Sequence, residues 1–176
     1  MQRVVIVGAG HGAGQVAASL IQKKFDGSIT MIGEEPWYPY QRPPLSKKYL
    51  AGEMPAERLY VKPESFYEDA GVELRLGTTV DAIDRDARQL LTADEETIAY
   101  DTLILSLGSH VRRLPIDGAN LKGVHYLRSI ADVEGIREDL DNSKRLVVIG
   151  AGYIGLEVAA VAQQAGLDVT VIEMED

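Results

Sequence analysis

RVVIVGAGHGAGQVAASLIQKKFDGSITMIGEE, residues Arg3 to Glu35, reads as a strand, a glycine turn, a helix and a second strand that ends in acid. Val4-Val5-Ile6-Val7 is a β-branched run of the kind that forms a parallel strand buried on both faces. Gly8, Gly10 and Ala13 follow at the G-x-G-x-x-G/A spacing, with His11 and Gly12 in the variable places. The first glycine permits a tight turn, the second lets a pyrophosphate approach the backbone, and a small third residue lets helix and strand pack closely. The spacing predicts a helix from about Gly14 to Lys24, with its unpaired amides and positive dipole end aimed at the phosphates. Glu34 ends the second strand 26 residues after Gly8, near the place where a carboxylate bonds a ribose hydroxyl. The competing reading is a glycine turn that serves packing alone.

The pattern occurs twice. RLVVIGAGYIGLEVAAVAQQAGLDVTVIEMED, Arg145 to Asp176, repeats the apolar run, the Gly-Ala-Gly and the acidic finish. Gly150, Gly152 and Gly155 place glycine at all three positions, Tyr153 and Ile154 fill the variable ones, and Glu173 follows 23 residues after Gly150. A carboxylate there accepts the ribose hydroxyl pair and repels a 2′-phosphate, and Met174-Glu175-Asp176 offers no arginine to receive one. NADH is therefore favoured over NADPH. The alternative is a structural crossover without a ligand. Each copy is a Rossmann-like βαβ unit, so the fold class is α/β.

The chain has 176 residues, of which 45% are hydrophobic and 26% charged, within the range of globular proteins with a substantial core. Its longest apolar runs are strand-length, far below the roughly 20 residues of a membrane span. Met1-Gln2-Arg3 leads straight into the first strand, which leaves no room for a secretory signal and suggests a cytoplasmic protein. A net charge of −9 disfavours nucleic acid and anionic membranes as partners. Cysteine is absent, which removes disulfides, thiolate metal sites, protein-ligated iron–sulfur clusters and cysteine nucleophiles from this stretch. His11, His110 and His125 have no metal-ligand spacing, so no metal is assigned; His11 either faces a dinucleotide or fills its turn.

Between the repeats, PWYPYQRPPLSKKYL (36–50) carries four prolines that impose an extended path, and a short helix is expected over Leu45 to Leu50 with Ser46 near its start. Arg42 and Lys47 are then cations on a stiff backbone, suited to a pyrophosphate or the polar edge of a flavin; the alternative is a solvated loop. A helix around Glu64 to Ala70 and a strand Val72 to Leu76 follow. Thr79 to Tyr100 reads as a small antiparallel meander across the nucleotide-binding sheet, with Asp84 to Arg88 as one turn. Asp101 to Gly108 is a further strand ending in glycine, and Ile130 to Leu140 a helix.

Gly8-Ala-Gly-His-Gly-Ala-Gly, Ile32-Gly33-Glu34-Glu35-Pro36 and above all Arg42-Pro43-Pro44-Leu45-Ser46-Lys47 resemble the FAD-binding start of the NADH-dependent ferredoxin and rubredoxin reductases. These are oxygenase-coupled, glutathione-reductase-like flavoproteins of the putidaredoxin reductase and biphenyl dioxygenase ferredoxin reductase type. The resemblance implies a three-layer FAD/NAD(P)-binding fold, here truncated, with an FAD-binding domain over 1–108 and the start of an NAD-binding domain over 109–176. It implies FAD and NADH as cofactors and a one-electron iron–sulfur carrier, a ferredoxin or rubredoxin that feeds an oxygenase or P450, as partner. It also implies that Val80 touches the adenine through its backbone, that Gly108 lies in a segment close to the flavin, and that Arg128 stands near the FAD. On spacing alone, Arg128 is equally a neighbour of the helix start.

The resemblance further implies that Lys47 pairs with Glu157 beside flavin N5, where position and electrostatics are their contribution; otherwise Glu157 is an acid favourably placed near a helix N-terminus. Ser106-Leu107 stand where the family usually carries Ala-Thr. The family continues well past this length. The chain is therefore expected to be a fragment with little turnover alone, or to assemble with another chain through an open sheet edge. Two other readings share these motifs. One is a non-catalytic redox-signalling protein resembling apoptosis-inducing factor; the other is a Rossmann-type NAD-binding domain without flavin.

Overall fold

The computed structural model describes residues 1–174, so Glu175 and Asp176 of the acidic finish lie outside the described residues. The chain divides into two compact units, Met1–Gln41 with Tyr60–Ser109, and Arg42–Leu59 with residues from His110 onward. The stiff proline segment from Arg42, read from sequence with the first nucleotide-binding region, groups with the second unit.

In chain order the first unit contains β1 (Gln2–Val7), α1 (His11–Gln22), β2 (Gly27–Gly33), α2 (Glu64–Asp69), β3 (Glu73–Leu76), β4 (Val80–Asp84), β5 (Gln89–Thr92), β6 (Thr97–Ala99) and β7 (Thr102–Leu105). Four strands form a parallel sheet in the order β3-β2-β1-β7, and β4-β5-β6 form an antiparallel meander. The alternation along β1 explains its unbroken apolar run. Val4 and Ile6 pack with Ala13, Ala17, Met31 and Tyr67 on one face. Val5 and Val7 pack with Ile32, Leu90 and Tyr100 on the other, so the meander covers the face that α1 and α2 leave open. Each buried Val, Leu, Ile or Met among them contributes about 1.5–3 kcal/mol. The Asp84 carboxylate accepts from the amides of Asp86 and Ala87, and Arg88, at φ +52°, closes the predicted turn.

Helix α1 starts three residues before its expected start. Gly10 takes an extended conformation as N-cap, and Gly12 and Gly14 lie inside the helix. Gly12 looks like a loop residue in sequence, and packing demands glycine at 14, where a Cβ would come 2.8 Å from Pro39 Cβ.

The second unit contains the 3₁₀ turns Pro43–Ser46 and Ala56–Leu59, then α3 (Ile130–Asp141), β8 (Arg145–Ile149), α4 (Tyr153–Gln164) and β9 (Asp168–Ile172). The expected helix from Leu45 is instead this 3₁₀ turn, which begins at Pro43 and ends at Ser46. Pro43 fits because a first helical position needs no N–H. Strands β8 and β9 pair in parallel, from Arg145 opposite Asp168 to Ile149 opposite Ile172. Unlike β1, β8 is covered on one face only. Leu146 and Val148 are half-buried, whereas Val147 and Ile149 are 56% and 61% exposed. Among the described residues no helix is long and apolar enough to cross a membrane, and no cluster of His, Asp or Glu could hold a metal.

Candidate functional site

The first glycine turn lies at the carboxyl end of β1. Gly8 has φ +107° and donates its N–H to Ile32 O at 2.7 Å. A Cβ there would stand 2.1 Å from the carbonyl oxygen of Ser106, so both conformation and packing require glycine. Gly10 differs: its φ is −83°, and a Cβ would meet nothing within 4 Å. Nothing among the described residues therefore requires glycine at position 10, and the space beside it suits a phosphate approaching the backbone. Ala13 is fully buried, as close packing of helix and strand demands. His11 and Gly12 are exposed in the first turn of α1, and Glu34 is exposed just past β2. Val80 opens β4, and Gly108, at φ +72°, follows β7.

The second turn repeats this division. Gly150 has φ +104° and donates to Ile172 O at 2.8 Å. Gly152 has open space where its Cβ would lie, whereas a Cβ on Gly155 would stand 2.0 Å from Gly150 O. Tyr153 and Ile154 are exposed at the start of α4. The Glu173 carboxylate accepts from the Ala151 amide at 2.6 Å and from the Met174 amide at 2.6 Å, which ties the acid to the glycine turn.

The helix ends differ in how they are capped. Helix α3 is closed by a capping box, in which Ser129 Oγ accepts from the Asp132 amide and the Asp132 carboxylate accepts from the Ser129 amide. Helices α1 and α4 have glycine N-caps, no side-chain cap and no acid in the first turn. Their terminal amides are left for an anion. The residues of both turns thus fit a dinucleotide diphosphate.

In the second unit, Lys47 Nζ lies 2.7 Å from Glu157 Oε1 and 3.2 Å from Pro43 O. Ser46, buried beside it, donates its hydroxyl to the other oxygen of Glu157. Hydrogen bonds from Lys47 first and Ser46 second hold the Glu157 carboxyl below its ordinary range. Arg42 donates to the backbone carbonyl of Arg128, whose own amide donates to Asp132 at 2.9 Å. Arg137 on α3 donates to the carbonyls of Tyr49 and Leu50 and stands 4.6 Å over the Tyr49 ring. The proline segment is therefore fastened to α3 and α4.

Of the residues singled out by sequence, Gly8, Gly10, His11, Gly12, Ala13, Glu34, Val80 and Gly108 belong to the first unit. Arg42, Lys47, Arg128, Gly150, Gly152, Tyr153, Ile154, Gly155, Glu157 and Glu173 belong to the second. Sequence reading missed Ser46 as a partner of Glu157 and Arg137 as an anchor. Neither carries a local signal, since their partners lie 111 and 87 or 88 residues away.

The pyridine nucleotide-disulphide oxidoreductase family matches residues 2–176. The chain belongs to this family. Rhodocoxin reductase of Rhodococcus erythropolis is 47% identical over 173 residues, which are 98% of this chain and 40% of that protein. Putidaredoxin reductase, solved in covalent complex with putidaredoxin, matches with a TM-score of 0.91 and 42% identity, over 97% of this chain and 42% of its own. A ferredoxin reductase from Rhodopseudomonas palustris matches with a TM-score of 0.92 and 44% identity, over the same shares. The chain spans 40% to 43% of the length of the first curated relatives it matches. The disulphide chemistry in the family's name has no counterpart in this stretch, which contains no cysteine.

Proposed function

We propose that this chain is part of a flavoprotein reductase that takes electrons from NADH and delivers them to a ferredoxin or rubredoxin serving an oxygenase or P450. Residues 1–108 form the N-terminal part of the FAD-binding domain, and 109–176 begin the NAD-binding domain. When bound, FAD supplies the two-electron to one-electron conversion between nicotinamide and an iron–sulfur carrier. The first glycine turn, from Gly8 to Ala13, receives the FAD diphosphate on the amides of α1, and Glu34 the adenosine ribose. Val80 and Gly108 supply further FAD contacts, and Arg42 and Arg128 are cofactor-binding residues of the second unit. Gly150, Gly152 and Gly155, with Tyr153 and Ile154, receive NADH, and Glu173 selects it over NADPH.

The ion pair of Lys47 with Glu157 is the observation that carries this reading. Lys47 is held by Glu157 and Pro43, and Glu157 by Ser46, yet the ammonium side chain is 49% exposed and so open to a ligand. A fixed cation stabilises negative charge on a bound ring without transferring a proton. Rhodocoxin reductase and the putidaredoxin complex support a small carrier as partner. The protein works in the cytoplasm, and copies of this chain associate through the open edge of the β8–β9 sheet, beside exposed Val147 and Ile149.

The chain purified as it stands should show flavin absorbance or acquire it from added FAD, and NADH under anaerobic conditions should bleach it. A colourless protein that takes up no FAD would sink this reading.

A further inference from the structure

We propose that Ser106 is a further contact residue of the first nucleotide site, donating its hydroxyl to the diphosphate held at the Gly8–Ala13 turn. This rests on the dinucleotide reading of that turn. Ser106 follows β7 and extends its pairing with β1, its amide donating to Val7 O at 2.8 Å. Its carbonyl oxygen lies against Gly8, 2.1 Å from where a Cβ would be. These two contacts set the Ser106 backbone beneath the turn. Its side chain then points at the start of α1: Ser106 Oγ is 2.9 Å from the position of a Cβ on Gly12.

The hydroxyl has no hydrogen-bond partner among the described residues, although Ser106 is only half-buried and therefore reachable by a ligand. Gly12 is the second residue of a helix whose terminal amides have no side-chain cap. A phosphate drawn to those amides comes within reach of Ser106 Oγ, which gains an anionic acceptor, and O–H to O⁻ bonds are among the stronger kind. The absence of a side chain on Gly12 leaves the space that Oγ occupies. Gly12 and Ser106 thus form a complementary pair, 94 positions apart in the chain.

Ligand titration of the 176-residue chain and its variants tests this, with FAD, ADP and adenosine as probes. Ser106→Ala should weaken FAD and ADP about tenfold and leave adenosine unchanged, because only the first two carry a diphosphate. Gly12→Ala, whose Cβ displaces Ser106 Oγ, should give a similar loss, and the double variant should lose no more than either single one. Melting curves superimposable on the wild type would establish that the variants fold. Unchanged FAD and ADP affinity in Ser106→Ala overturns the assignment, as does an equal loss for adenosine. A wild-type chain that binds neither FAD nor ADP overturns the underlying nucleotide reading instead, and this assignment with it.

Discussion

Lys47 and Glu157 are 110 positions apart, yet Lys47 Nζ stands 2.7 Å from Glu157 Oε1. The pair joins the proline segment to the helix of the second glycine turn, and Ser46 holds the far oxygen of the same carboxylate. With side chains 49% and 29% exposed, the pair contributes little stability, about 0.2–1 kcal/mol. Its proposed value lies in fixing a cation.

Replacing that cation separates the two effects. Lys47→Met should change unfolding free energy by less than about 1 kcal/mol, while making bound FAD harder to reduce in an anaerobic redox titration. The Glu157 carboxyl is held low by Lys47 and then Ser46, so the native state favours its charged form. The associated stability is present above the ordinary glutamate range and is lost as pH falls through the lowered folded value. Melting temperatures of wild type and Glu157→Gln should therefore converge on acidification.

Gly8 and Gly10 should respond oppositely to alanine. Gly8→Ala forces a Cβ into a φ of +107° and against Ser106 O, and should destabilise the fold by roughly 2 kcal/mol or more. Gly10→Ala finds open space and an ordinary φ, so chemical denaturation should be nearly unchanged while FAD titration shows weakened binding. Equal FAD affinity in Gly10→Ala would remove the phosphate from that turn.

Tyr67 makes an independent test of the core. Its hydroxyl is buried with no hydrogen-bond partner among the described residues, and burial pushes its pKa up to about 12. Tyr67→Phe removes an unsatisfied polar group and should be neutral or stabilising by about 1 kcal/mol. A raised folded value means stability that is intact below the unfolded tyrosine pKa of about 10 and lost as pH rises towards about 12. Alkaline melts should show this loss in the wild type and less of it in Tyr67→Phe.

Glu173 bonds the Ala151 amide at 2.6 Å, inside the second glycine turn. Glu173→Ala should weaken NADH binding about tenfold and narrow its advantage over NADPH, because the carboxylate that repels a 2′-phosphate is gone. Parallel titrations with the two nucleotides measure both effects.

Local sequence carries the parts of this protein that local chemistry dictates. Val4 to Val7 announce a buried strand because each residue alternately meets a helix layer and the meander. The glycine spacing announces the turns because backbone conformation at Gly8 and Gly150 admits little else. The expected start of α1 falls three residues late because Gly12 resembles a loop residue, whereas Gly10 already serves as the N-cap.

The two repeats share one motif in sequence, and tertiary structure separates them further. Val147 and Ile149 match the apolar run of β1 in kind, but they remain exposed because burial depends on what covers a strand as well as on its composition. Sequence by itself determined the crossover units, the two glycine turns and the acids that follow them, all set by neighbours close in the chain. Tertiary structure alone decided that Ser46 joins Lys47 on Glu157, that Arg137 anchors Tyr49 and Leu50, and that Ser106 lies beneath the first turn. Such contacts join residues far apart in the chain, and no periodicity or spacing encodes the distance between them.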